Sequence, residues 1–148
     1  MIRSSCYLLT TIAVVALVGT AIPLALANPV DHGSHMIECA KVCANTQVQC
    51  DSCFKHCFTL VSEGKHDHAL CAQYCLDCAD CCKMCESLCA RQGPLSSMAL
   101  DFCAKCCDEC ALQCEKMPGD AKMADCAKSC RTCAASCRDM AKQLNATK

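Results

Sequence analysis

The sequence contains no tryptophan, two tyrosines and three phenylalanines, an aromatic content of 3 %. That scarcity removes the stacking platforms on which nucleic-acid bases are held. Charge is equally unhelpful to a polyanion, because 14 Lys plus Arg stand against 15 Asp plus Glu and the formal net charge is −1. Five glycines and four prolines are few for 148 residues, which speaks against a loop-rich or low-complexity chain. Paired carboxylates, a Ser/His/Asp set and a phosphate-binding glycine loop are all missing, so no enzyme is expected.

What fills the space is cysteine. There are 22 in the chain, roughly one residue in seven and far above ordinary usage. One long apolar run, Leu8 to Val18, follows Arg3 and precedes Ala25-Leu26-Ala27. A basic start, an apolar stretch and an AxA site read as a signal peptide over residues 1–27. Gly19 and Pro23 argue against a permanent anchor helix, so no membrane association is expected after signal removal. The expected product is exported, periplasmic or secreted, with a flexible tail over 28–34 and one domain over 35–146. Loss of Arg3 and Cys6 leaves 21 cysteines, 13 basic and 15 acidic residues, a formal charge of −2.

Turn signals at Gly64, Gly93-Pro94 and Pro118-Gly119 divide the domain into four helices, expected near 35–63, 67–91, 96–116 and 120–144. Asp67, Ser96 or Ser97, and Asp120 are candidate N-caps. The interiors hold Ala, Lys, Glu, Gln, Leu and Met, no proline, and no strand-like alternation. Short connections make sequential helices antiparallel. The fold class is therefore all-α, an antiparallel four-helix bundle with a Cys-lined core.

The cysteines repeat at helical steps of four and three in every segment. The first carries Cys39, Cys43, Cys50, Cys53 and Cys57, and the second Cys71, Cys75, Cys78, Cys82, Cys85 and Cys89, with Cys81 as an added flank. The third has Cys103, Cys107, Cys110 and Cys114 plus Cys106, and the fourth Cys126, Cys130, Cys133 and Cys137. At about 100° per residue, the six main cysteines of the second helix fall within an arc of roughly 80°. Thiols stand where a bundle normally places its apolar knobs.

Cysteines four apart lie on adjacent turns, with Cβ atoms roughly 5–6 Å apart, so two thiolates can converge on one small ion. Cu(I) is soft, prefers sulfur, and accepts two or three such ligands. Zinc asks for closed tetrahedral sets, which an unbroken thiol stripe matches poorly. Other readings stay open. Cys75, Cys78, Cys81 and Cys85 have the spacing of a ferredoxin-type [4Fe-4S] run, although Glu86 stands where that run has proline. An exported chain can also oxidise its thiols into a structural disulfide framework. A thiol redox enzyme would instead need an activated CxxC opening a helix in a βαβ setting, and here CxxC pairs lie inside helices.

The signal peptide, the four helices and the CxxxC/CxxC stripes across residues 34–144 resemble the bacterial copper storage proteins. The resemblance implies a bundle holding many Cu(I) ions inside, on the order of the number of core thiols, chiefly at two-cysteine sites. It also implies a homo-oligomer, since some members are tetramers. A twin-arginine signal found in exported members is absent, because only Arg3 is present; a Sec-type route would deliver a copper-free chain.

Antiparallel packing brings Met36, Cys89, Met98 and Met140 toward one end, with His35 beside them. Thioether and imidazole ligands there would form a weaker mouth site, unless the methionines simply plug the core. Met117 and Met123 belong to the opposite end, where packing is the expected role. His56 is expected on the surface, and Phe54, Phe58 and Val61 form a second apolar strip beside the thiols. Lys41, Lys55, Lys83, Lys105 and Lys128 are assigned to outer faces.

Overall fold

A computed structural model of the chain describes residues 32–146. The expected signal peptide lies outside the described residues. Helix α1 spans His32–Ser62, α2 Ala69–Ala90, α3 Ser96–Glu115 and α4 Ala121–Ala146. A single 3-10 turn, His66–His68, leads into α2. Each helix packs on its neighbours in sequence, and α1 packs on α4 to close the ring. No described helix is long and apolar enough to cross a membrane.

The direction of each helix follows from the sulfur contacts. Cys43 meets Cys137 while Cys50 meets Cys130, and Cys71 meets Cys114 while Cys82 meets Cys103. Numbers rise along one helix as they fall along its partner. The bundle is antiparallel, as its short connections require.

Two of the turns use one device. At the end of α1, Gly64 at φ 88° donates to Val61 O at 3.0 Å, and Lys65 N donates to Leu60 O at 3.0 Å. At the end of α2, Gln92 N donates to Cys89 O at 3.0 Å and Gly93 N to Leu88 O at 2.9 Å. Both are Schellman stops, which need a left-handed residue after the helix. In the second it is Gln92, at φ 50°, and not the glycine beside it.

The expected caps divide. Asp120 Oδ1 accepts from the backbone N–H of Lys122 at 3.0 Å and of Met123 at 3.2 Å, so it opens α4. Asp67 sits inside the 3-10 turn, and α2 begins two residues later without a side-chain cap. Ser96 does not cap α3 through its hydroxyl. Its Oγ donates to Leu88 O at 3.0 Å and Gly93 O at 2.7 Å, tying the α2–α3 turn to the last turn of α2. Helix α1 also takes in His32, Gly33 and Ser34, ahead of the expected start at residue 35.

The core consists of thiols, alanines and two methionine-capped ends. Ala40, Ala72, Ala79, Ala104, Ala111, Ala127 and Ala134 are buried between the cysteines. Their small side chains fill the gaps between sulfurs on adjacent turns without separating the helices. Leu100 and Met123 are the largest fully buried side chains. A buried cysteine acts as a small hydrophobe, so the metal-free bundle is held by many modest burials.

Outside the core, Arg131 of α4 makes a two-bond fork on Glu115 of α3, at 3.0 and 2.9 Å, and reaches Asp108 at 3.1 Å. Arg138 also pairs with Asp108. The five lysines assigned to outer faces are exposed.

Candidate metal centre

Every cysteine of the described residues is buried except Cys81 and Cys106, which are half-buried. The buried sulfurs form five groups of four, within each of which all Sγ atoms lie within 4.8 Å of one another. From the end where α1 begins, the first group is Cys43, Cys103, Cys133 and Cys137. Cys82, Cys103, Cys107 and Cys133 follow, then Cys50, Cys78, Cys110 and Cys130. Two more, Cys75, Cys110, Cys114, Cys126 and Cys53, Cys71, Cys75, Cys114, complete the series toward the far end.

Successive groups interlock. The first two share Cys103 and Cys133, the third and fourth share Cys110, and the last two share Cys75 and Cys114. Between the second and third, Cys78 Sγ lies 3.7 Å from Cys107 Sγ. The result is one sulfur column along the bundle axis, supplied by all four helices. Cys85 and Cys89 add a contact at 4.0 Å, Cys39 is buried beside the Met36 end, and Cys57 is buried at the other.

Hydrogen bonding among these thiols divides their proton affinities. Cys107, then Cys110, Cys130 and Cys50, hold Cys78 below the ordinary thiol range. Cys126 is held down chiefly by Cys110, and Cys133 chiefly by Cys103. Cys103 is lowered to about 7, with Cys107 the main cause. Their partners move the other way: Cys107 is pushed up chiefly by Cys103, and Cys75 and Cys50 chiefly by Cys110. The physical content is that one sulfur of a group becomes a thiolate stabilised by S–H donors around it, and a second beside it is resisted. A cation placed among them removes that resistance.

The helical rhythm is broken once. Thr46 occupies the step between Cys43 and Cys50, is 1 % exposed, and its Oγ1 lies 3.0 Å from Ser129 Oγ. The hydroxyl pair joins α1 to α4 where a thiol would otherwise stand. No cysteine count could reveal this, because Thr46 reads as an ordinary polar helix residue.

Of the expected mouth residues, Met36 and Met140 are buried at the end where α1 starts and α4 finishes. His35 borders a groove there with Cys39, Ser136, Met140 and Gln143, and its Nδ1 lies 2.9 Å from Gln143 Oε1. Met98 does not join them. It is 71 % exposed and lines an outer α2–α3 surface with Met84, Leu88, Leu95, Ala99 and Phe102. Its place three residues after Leu95 and one before buried Ala99 turns it off the core face.

Cys81 and Cys106 are likewise off the column. Each directly precedes a core cysteine, so each is rotated by about 100° from it. They face one another across α2 and α3 with Sγ atoms 3.0 Å apart. At the far end Met123 is buried and Met117 packs partly against the core. Phe54 rests against the core and its ring centroid is 6.0 Å from that of exposed Phe58.

A family model described as copper storage protein matches residues 31–142. Among solved structures, the Cu(I)-bound copper storage protein BsCsp3 is 28 % identical, with TM-score 0.65, covering 72 % of this chain and 98 % of its own. The apo copper storage protein 3 of Bacillus subtilis is 29 % identical, with TM-score 0.60 and coverages of 70 % and 95 %. The Nmul_A1745 protein of Nitrosospira multiformis is 27 % identical, with TM-score 0.64 and coverages of 74 % and 97 %. A search of curated proteins finds no significant match.

Proposed function

Given that the chain belongs to the copper storage protein family, we propose that it holds many Cu(I) ions along its sulfur column, as a store outside the cytoplasm and without catalysis. The interlocked groups of buried thiols carry this reading. The ligand set is soft and contains no carboxylate or imidazole in its interior, which suits Cu(I) and not a harder ion. The Cu(I)-bound state of BsCsp3 supports the oxidation state.

Electroneutrality bears on how many ions enter. Two thiolates on one Cu(I) leave a net negative charge, and a buried uncompensated charge is costly. If each sulfur bridges two ions and each ion takes two sulfurs, one Cu(I) replaces one proton and the core stays neutral. The shared members of neighbouring groups, Cys103, Cys133, Cys110, Cys75 and Cys114, are placed for such bridging. The load then approaches the number of core thiols, with protons released on binding.

Ions enter at the end marked by Met36, Met140 and His35, and move inward by ligand exchange along the column. The chain works as a homo-oligomer, with the exposed apolar side chains Met84, Leu95, Met98 and Phe102 available for contact between copies. Export through residues 1–27 brings it to the periplasm or beyond.

The deciding experiment is an anaerobic titration of the reduced, mature protein with Cu(I) against a competing chelator, with free thiols counted in parallel. Tight binding of roughly ten or more ions per chain is expected. Binding of one or two, or thiols already consumed as disulfides, would replace the store with a structural or redox role. Mass measurement of the protein recovered from cell fractions tests both cleavage after Ala27 and location, and light scattering tests the assembly.

A further inference from the structure

The Cys81 and Cys106 sulfurs are 3.0 Å apart, while the other thiol–thiol hydrogen bonds among the described residues are 3.4 Å or longer. They are also the two cysteines of the described residues that are not buried. Closest approach and greatest access therefore coincide in one pair, lying outside the column that the proposed function uses. One cysteine comes from α2 and the other from α3, 25 residues apart, so a bond between them would span two helices and the turn at Gln92.

We propose that Cys81 and Cys106 form a thiol–disulfide exchange site, which closes into an α2–α3 cross-link on reaction with a small disulfide oxidant while the core thiols remain available to metal. One Sγ, as thiolate, attacks a sulfur of the oxidant, forming a mixed disulfide and releasing one thiol. The second Sγ, giving up its proton, attacks the protein sulfur of that adduct, forming the Cys81–Cys106 bond and releasing the second thiol. The pair loses two electrons and two protons, and the oxidant is reduced to two thiols.

Access explains the selectivity. A disulfide as large as oxidised glutathione must line up with the attacking sulfur, which a half-buried flank permits and a dry column does not. The core pairs react only after the bundle opens. Closing the flank pair draws its sulfurs together by about 1 Å, at a place outside the buried groups.

The test is to expose the reduced full-length mature protein, copper-free and copper-loaded in parallel, to oxidised glutathione, counting free thiols with time and mapping cross-linked peptides. Two thiols per chain should disappear about tenfold faster than any others, with the peptide bearing Cys81 joined to that bearing Cys106, in both samples. Cys81→Ser should instead accumulate one glutathione adduct on Cys106, and the double variant C81S/C106S should lack the fast phase. Random loss of thiols, a first cross-link within the column, or full protection of this pair by copper would overturn the proposal. None of those results depends on how many ions the core takes, so the copper titration stands or falls separately.

Discussion

His56 Nε2 lies 2.7 Å from Asp120 Oδ2, joining the last two turns of α1 to the residue just before α4 across 64 residues of chain. The other oxygen of Asp120 accepts from two backbone N–H groups of α4. One carboxylate thus caps one helix and fastens it to another. Burial works to raise the Asp120 pKa, but the hydrogen bonds from His56 and from Met123 and Lys122 outweigh it, and the net direction is down.

Replacing Asp120 with Ala should lower the stability of the copper-free protein by about 1 kcal/mol, the usual worth of an N-cap, read by denaturant unfolding. Because the folded-state pKa is lowered, the contribution is complete above the usual carboxylate range and is lost as pH falls through the depressed value. Wild type and D120A should therefore converge in stability on acidification. A gap that stayed constant from neutral pH to below pH 3 would refute the assignment.

The column predicts how capacity responds to loss of sulfur. Cys43 Sγ lies 3.7 Å from both Cys137 and Cys133, and Cys78 and Cys82 both lie 3.7 Å from Cys107. Cys78→Ser with Cys82→Ser should lower the number of tightly bound ions while circular dichroism stays helical, and Cys43→Ser should lower it less. Since protons and copper compete for the same sulfurs, apparent affinity should weaken as pH falls from about 8 to 6. An unchanged ion count in the double variant would show that the core does not hold the metal.

The two Schellman turns predict opposite responses to substitution. Gly64 has φ 88° and nothing within 4 Å of the place where a Cβ would stand. Gly64→Ala should therefore destabilise through backbone strain alone, by about 1 kcal/mol. Gln92 already bears that strain at φ 50°, so Gln92→Gly should be neutral or raise stability by up to about 1 kcal/mol. Thermal unfolding of both variants checks the contrast; a Q92G protein that melts well below wild type would contradict it.

Most of the architecture was readable in the chain because two periodic signals agreed. Steps of four and three placed Cys71, Cys75, Cys78, Cys82, Cys85 and Cys89 on one face, and all six are buried. Gly64 and Asp120 marked a stop and a start that the backbone confirms. Local geometry suffices for such features, since a helix face and a cap depend on residues within one or two turns.

Other features depended on partners that spacing does not name. Spacing alone sets Cys81 and Cys106 beside the stripe, and only the packing of α2 on α3 places them against each other. Met98 belongs by position to the mouth, yet its rotation about α3 sends it to an outer surface. Thr46 is buried because Ser129 on α4 offers it a hydroxyl, and His56 is drawn to Asp120 in the same way. By itself the sequence determined that four helices would bring their thiols together. Which sulfurs share a group, and that the two flank thiols meet, was decided by packing, because inter-helix rotation and offset arise from the fit of all four surfaces at once.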